Sequence, residues 1–142
     1  MTYYLEKPPI NPPNMLFALY GIGYLSCVVW GHHLYSINMP QEVKDYFSYS
    51  TLLIGIPTGV KYFSWLASLG NNELVDDELL NCTYGFLYLF LVGGLTGIML
   101  GNAGLDLVFH DTYYVVGHFH LVMAAAITYS LYAILTLILE IN

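Results

Sequence analysis

Four stretches of this chain run for more than twenty residues with a single charged side chain, Lys61, among them: Met15 to about Ile37, Tyr49–Leu69, Leu79–Leu100 and Thr112–Leu139. A helix rises about 1.5 Å per residue, so each run is long enough to cross about 30 Å of hydrocarbon. In lipid a backbone must satisfy its own polar groups, and a single uncharged run can do so only as a helix. The expected fold class is therefore all-α: a polytopic membrane protein with four transmembrane helices at residues 15–37, 49–69, 79–100 and 112–139. A Pro-rich lead-in occupies residues 1–14 and the membrane segment residues 15–142. The stretch PPINPP is read as stiff, extended and non-helical. Only the second run contains a proline, Pro57, which frees a backbone carbonyl and kinks the helix there.

The composition agrees with a lipid environment, being 57% hydrophobic and 9% charged. The net charge is −7, and Lys7, Lys44 and Lys61 are the only basic side chains, so no groove of positive charge is available to phosphates. Membrane lipid is an expected partner and nucleic acid is not. Cys27 and Cys82 both fall inside apolar runs, where a small buried thiol is inert packing. The opening MTYYLEKPPINPPNM lacks the basic start of a secretory signal and the arginine-rich pattern of a transit peptide. Connections are expected at SINMPQEVKDYF, GNNELVDDE and GNAGLDLVFHD, which carry most of the acidic residues.

The unusual content of so apolar a chain is its histidine. His32 and His33 lie near the end of the first run, and His118 and His120 near the start of the fourth, on the same face of the membrane by parity. If the first helix runs to about Ile37, both pairs sit roughly 10 Å inside that face. Imidazole is the commonest nitrogen ligand of transition metals, and a polar group at membrane depth is costly enough to suggest a function. On a helix His32 and His33 are about 100° apart, so their rings can converge on one ion. His118 and His120 are about 200° apart and point to opposite sides, which suits two separate centres such as haems. The competing reading is that the histidines hydrogen-bond neighbouring helices together.

His110 and Asp111 stand just outside the fourth run. An imidazole beside a carboxylate suits a divalent ion such as Mg²⁺, whereas Asp111 alone could serve as a helix cap. Lys61 lies roughly 18 Å in from the histidine-bearing face, with Thr58 three residues before it and Ser64 three after, a spacing that could carry protons. The alternative is a lysine that snorkels to the far headgroups. The acidic run Glu73, Asp76, Asp77 and Glu78 reads as a solvated loop, and GGLTG at 93–97 as a place where helices pack closely.

In order and spacing, WGHHLY, IPTGVKYFSWLASL, VGGLTGI and HDTYYVVGHFH resemble the haem-copper oxidases of the mitochondrial cytochrome c oxidase type, in the latter half of their catalytic subunit. The resemblance covers nearly the whole chain from about Met15 and corresponds to the seventh to tenth of twelve helices. It implies that His32 and His33 are copper ligands, His118 the proximal ligand of the high-spin haem and His120 an axial ligand of the low-spin haem. It further implies magnesium at His110 and Asp111, a proton pathway through Thr58 and Lys61, and two haem A groups. The implied activity is reduction of O₂ to water, coupled to proton translocation, in the mitochondrial inner membrane. The implied partners are other fragments of the catalytic subunit carrying the missing ligands, a copper-bearing subunit II, further oxidase subunits and cytochrome c as electron donor.

The chain lacks the third copper histidine, the cross-linked tyrosine, the second low-spin axial ligand and the glutamate of the other proton route. Beginning at Met1 and ending in IleAsn, it is expected to be an independently made piece of a split subunit. The rival classes are a membrane haem or metal carrier without turnover and a purely structural subunit. Gly31 and Gly117 replace alanines usual in the family and Leu121 a frequent tyrosine, changes expected to loosen packing slightly.

Overall fold

The computed structural model describes residues 8–70 and 78–141, with side chains as far as residue 139. Every regular element among the described residues is helical. In chain order they are α1 (Pro12–Ser26), a 3-10 turn (Trp30–Leu34), α2 (Gln41–Leu53), α3 (Gly55–Gly70), α4 (Glu78–Gly101), α5 (Ala103–Phe109), α6 (Tyr113–Phe119), a π-helical segment (His120–Ala125) and α7 (Ala126–Ile141). The all-α class expected from the uncharged runs is what forms.

Among the described residues, three helical stretches are long and apolar enough to cross a membrane: Gln41–Gly70, Glu78–Gly101 and Tyr113–Leu139. The first uncharged run behaves differently from expectation. Instead of one helix over 15–37, α1 stops at Ser26 after 15 residues, about 22 Å of rise. Its end tightens through i→i+3 bonds from Cys27 N to Tyr24 O and from Val28 N to Leu25 O, and Ser26 Oγ turns back to Ile22 O. The β-branched pair Val28–Val29 and then Gly31 are weak helix formers, so nothing local restarts an α-helix before the short 3-10 turn. The histidine pair thus sits on a turn after a helix.

The lead-in also differs, because α1 opens with Pro12 and Pro13 themselves in its first turn. The first turn has no intrahelical use for those N–H groups, and φ near −65° already suits a helix. Two expected connections turn out to be partly helical. Residues 41–47 form the first turns of α2, with Glu42 near the positive end of the helix dipole and Gln41 Nε2 bonded to Asp45 Oδ1. Residues 103–109 form α5, capped by Asn102 Oδ1, which accepts from Gly104 N and Leu105 N. Within the second run the helix breaks at Ile54, three residues before Pro57, as the missing N–H of a proline requires. Of the acidic run, Glu73, Asp76 and Asp77 lie outside the described residues.

The helices bury little against one another. Phe17 is 80% exposed, Tyr20 71%, Tyr24 74% and Tyr113 90%, an apolar surface far too extensive for a chain alone in water. The most extensive packing joins α4 to α7, where a Cβ on Gly85 would stand 2.4 Å from the Tyr129 ring. A small core of Tyr35, Phe47 and Ala103, with Met39 against it, closes the histidine-bearing end. A second, built on Leu69, Leu80 and Leu87, closes the other.

Candidate functional site

A cavity of about 560 Å³ opens between the 3-10 turn, α2, the end of α4, α5 and α6. It is lined by His32, His33, His110, Asp111 and His118, together with Thr51, Gly97 and Asp106. Five of the eight site residues expected from the sequence therefore share one space. His120 stands on the outer side of its helix, exposed, and Thr58 and Lys61 lie on α3 outside the cavity.

The hydrogen bonds of the imidazoles decide what each ring can offer. Thr51 Oγ1 donates to Phe47 O at 2.6 Å, so it accepts from His32 Nδ1 at 3.0 Å. Gly93 O can only accept, and lies 2.8 Å from His118 Nδ1. Val116 O likewise accepts from His120 Nδ1 at 2.8 Å. The carboxylate of Asp106, which is 5% exposed, takes His110 Nδ1 at 3.1 Å. In each of these four rings the partner calls for a hydrogen on Nδ1, which in a neutral imidazole leaves the lone pair on Nε2. A metal-ligating histidine is held in this way by its second nitrogen.

The geometry fits the groups expected from the motifs. His32 Nε2 and His33 Nε2 are 3.0 Å apart, with ring centroids 4.2 Å apart at 74°. Two nitrogens each about 2.0–2.1 Å from one ion stand about 2.9 Å apart at a right angle and about 3.4 Å apart at the tetrahedral angle, so one cation fits the pair. Because the pair rides on a 3-10 turn, the rings diverge by about 120° per residue rather than 100°. Among the described residues no third His, Cys, Asp or Glu joins them, so the remaining ligands of such an ion must come from outside these residues.

His118 is cradled by glycine. A Cβ on Gly97 would stand 2.6 Å from His118 Cε1, and one on Gly93 would stand 2.6 Å from Val122 Cγ2. Only bare Cα atoms on α4 let α6 approach closely enough for the Gly93 carbonyl to reach the ring. The helix then widens into the π-helical segment starting at His120, a local geometry common at functional positions. His118 faces α4 and the cavity while His120 faces away, so the two rings serve different sides of one helix.

His110 Nε2 lies 3.8 Å from Asp111 Oδ1, matching neither the about 2.9 Å of neighbouring nor the about 4.1 Å of opposite ligands on an octahedral magnesium ion, so the exposed carboxylate would have to swing closer for the two to share one. Asp111 is 93% exposed at its side chain and sits at φ 57°, which turns it away from the helix that follows. It is not the cap of that helix: Thr112 is, accepting from Tyr114 N. The donor set fits a hard divalent ion with open positions for water or further ligands.

Thr58 and Lys61 keep more local company. Thr58 Oγ1 donates to Ile54 O and Ser64 Oγ to Val60 O, and Lys61 Nζ lies 5.2 Å from the Trp65 ring centroid. Sequence reasoning marked Gly93 and Gly97 as a place of close helix packing, which forms, but missed Thr51, Asp106 and the Gly93 carbonyl as partners of the imidazoles. Asp106 was readable, standing four residues before His110 where a helix brings the two together; nothing in sequence pairs Thr51 with His32 across 19 residues.

A family model described as "Cytochrome C and Quinol oxidase polypeptide I" matches residues 1–141. The chain is 47% identical over 133 residues to the cytochrome c oxidase subunit 1 of Candida albicans, covering 94% of this chain and 25% of that protein. It is 44% identical over 131 residues to that of Debaryomyces hansenii, with 92% and 24% covered. It is 43% identical over 119 residues to that of Mytilus edulis, with 84% and 22% covered. The chain thus spans about a quarter of the length of these relatives. An open helical layer of membrane-length spans, carrying paired imidazoles in the motifs quoted above, belongs to the cytochrome c and quinol oxidase polypeptide I family.

Proposed function

We propose that this chain supplies part of the oxygen-reducing centre of a cytochrome c oxidase in the mitochondrial inner membrane, working with polypeptide that carries the remaining helices. The observation that carries the reading is a shared geometry: His32, His110, His118 and His120 each give Nδ1 to an oxygen of the protein, which in the neutral ring leaves Nε2 for a metal, and His32 Nε2 meets that of His33. His32 and His33 would hold copper, His118 the high-spin haem A, His120 the low-spin haem A, and His110 with Asp111 magnesium. When bound, the copper and the haem irons supply the electron transfer that reduces O₂ to water, with cytochrome c and a copper-bearing subunit II as the source of electrons.

The chain's own residues do the rest by position. Thr51 keeps the His32 ring turned so that its Nε2 meets that of His33. Gly93 O and Thr96, whose hydroxyl also reaches Gly93 O, hold His118 Nδ1–H inside the protein. Asp106 keeps the His110 proton on Nδ1 and away from Asp111. On α3, Thr58 and Lys61 stand about one turn apart and would pass protons from the far side, with Thr58 Oγ1 leaving Ile54 O to do so. A purely structural subunit would need none of these fixed tautomers.

The test is the reduced-minus-oxidised spectrum of the complex purified through this chain, with the partners identified by mass spectrometry. A haem A spectrum is expected, with partners bearing the missing histidines and tyrosine. A haem-free complex, or one that already contains an entire catalytic subunit, would overturn the proposal.

A further inference from the structure

Between the end of α4 and the start of α5 the backbone turns a corner, and a corner leaves polar groups without helical partners. Gly101 O is the last carbonyl of α4, and Ala103, Gly104 and Leu105 carry the first N–H groups of α5. Gly101 and Ala103 are buried, so bulk water cannot serve them. Asn102 Oδ1 takes Gly104 N and Leu105 N. Gly101 O and Ala103 N both go to Ser48 of α2, whose Oγ donates to the carbonyl at 3.0 Å and accepts from the N–H at 3.3 Å.

Ser48 is used differently from other hydroxyls of α2 and α3. Thr51, Thr58 and Ser64 each donate to a carbonyl four residues earlier in the chain, whereas Ser48 places its one hydrogen on α4 and accepts from α5. It is 8% exposed, next in sequence to Phe47, whose ring packs with Tyr35 and Ala103. Tyr35, directly after the histidine turn and fully buried, adds a second donor to Gly101 O at 3.3 Å. The histidine turn, α2, α4 and α5 thus meet at one carbonyl. What hangs from that point is short: α5 has seven residues, about 10 Å of rise, and carries Asp106 and, at its C-cap, His110, joined at 3.1 Å. Thr51, which holds His32, stands three residues after Ser48 on the same face of α2.

We infer that Ser48 is a positioning residue for the His110–Asp111 dyad: by taking both backbone groups of the α4–α5 corner, it fixes where α5 delivers His110 relative to the imidazole pair. One face of α2 then sets both parts of the cavity, Thr51 the ring of His32 and Ser48 the element that bears His110. Without the hydroxyl, a buried carbonyl loses one of its two donors and a buried N–H its acceptor. The corner opens to recover partners for them, and α5 moves with it.

The test uses the assembled complex loaded with Mn²⁺, a paramagnetic ion suited to the same ligands as Mg²⁺, and its metal readout rests on the function proposed above. The Mn²⁺ electron paramagnetic resonance spectrum and the rate of manganese loss to a chelator are measured in S48A, S48C and S48T. Manganese loss about ten-fold faster, with altered lines, is expected in S48A. About three-fold is expected in S48C, whose thiol is a weak donor and acceptor and stands farther from its partners. S48T keeps the hydroxyl and should keep the wild-type spectrum and retention. A merely structural role would lower the melting temperature and leave the spectrum as it is. Unchanged lines in S48A, or S48T as damaging as S48A, would therefore overturn the inference. If S48A does not assemble, S48C decides alone, and wild-type lines and retention there overturn it. H110A separates the two failures: if it loses no manganese, the function proposed for the dyad is wrong. Cryo-electron microscopy of S48A then decides the positioning role, which requires His110 to have moved relative to His32 and is overturned if it has not.

Discussion

The histidine-bearing end and the lysine-bearing helix solve opposite problems. Around the cavity, polar groups find partners across elements: His32 on Thr51, His118 on Gly93, Ser48 on Gly101 and Tyr35 on Gly101. Along α3, the hydroxyls of Thr58, Ser64 and Ser68 each return to a carbonyl four residues earlier, and Lys61 rests on Trp65 of its own helix. The first region is assembled by tertiary contacts and fixes ring nitrogens; in the second, Thr58 and Ser64 bond within their own helix, and Ser68 alone of the three hydroxyls also takes a bond from Ile10 N. Under the function proposed above, a centre that holds metals calls for the first arrangement, and a route that passes protons for bonds that can be exchanged.

This contrast makes the histidine end the less tolerant of the two. The largest expected effect is His118→Ala, which should abolish the high-spin haem signal while sparing the low-spin one, with His120→Ala doing the reverse. Loss of both centres from either change, in a complex otherwise assembled, would show that the rings do not serve separate sides. Next comes Gly97→Ala, whose methyl would stand 2.6 Å from His118 Cε1. It should cost about 1–3 kcal/mol of stability by overpacking and shift the high-spin haem absorbance, both readable from a thermal melt followed by optical spectroscopy.

Thr51→Val removes the acceptor of His32 Nδ1 while keeping the shape of the side chain. Copper affinity should fall about 10- to 100-fold, the usual consequence of losing an outer partner of a metal-bound imidazole, as measured by chelator competition. The smallest effect is expected on α3. Ser64→Ala deletes a bond made wholly within the helix and should change stability by no more than about 0.5 kcal/mol in denaturant or thermal unfolding. If Ser64→Ala proved as damaging as Thr51→Val, the distinction between the two regions would collapse.

What could be read from sequence divides along the same line. Helix class, three of the four expected membrane-length stretches and the gathering of His32, His33, His110 and His118 rest on local features, such as runs without charge and residue types in short motifs. The first run misled because its apolarity is continuous while its helix propensity is not: the helix ends at Ser26, and Val28, Val29 and Gly31 beyond it do not restart one, with no charged residue to announce the break. Hydrophobicity alone cannot register that break. The helices α5 and early α2 were hidden in polar stretches because capping by Asn102 and the Gln41–Asp45 pair stabilise helix without apolar periodicity. Thr51 and the carbonyl of Gly93 were invisible as imidazole partners for a different reason. Their roles arise from contacts between elements distant in sequence, and only the fold brings a hydroxyl or a carbonyl to the place where an imidazole needs it.

The most direct test of the account is a cryo-electron microscopy structure of the assembled complex, at a resolution that orients imidazole rings. The account predicts metal density against Nε2 of His32, His33, His118 and His120, with Nδ1 of His32 still on Thr51, of His118 on Gly93 and of His120 on Val116. Metal bound through Nδ1 at any of these three rings, or density at none of the four, would contradict it.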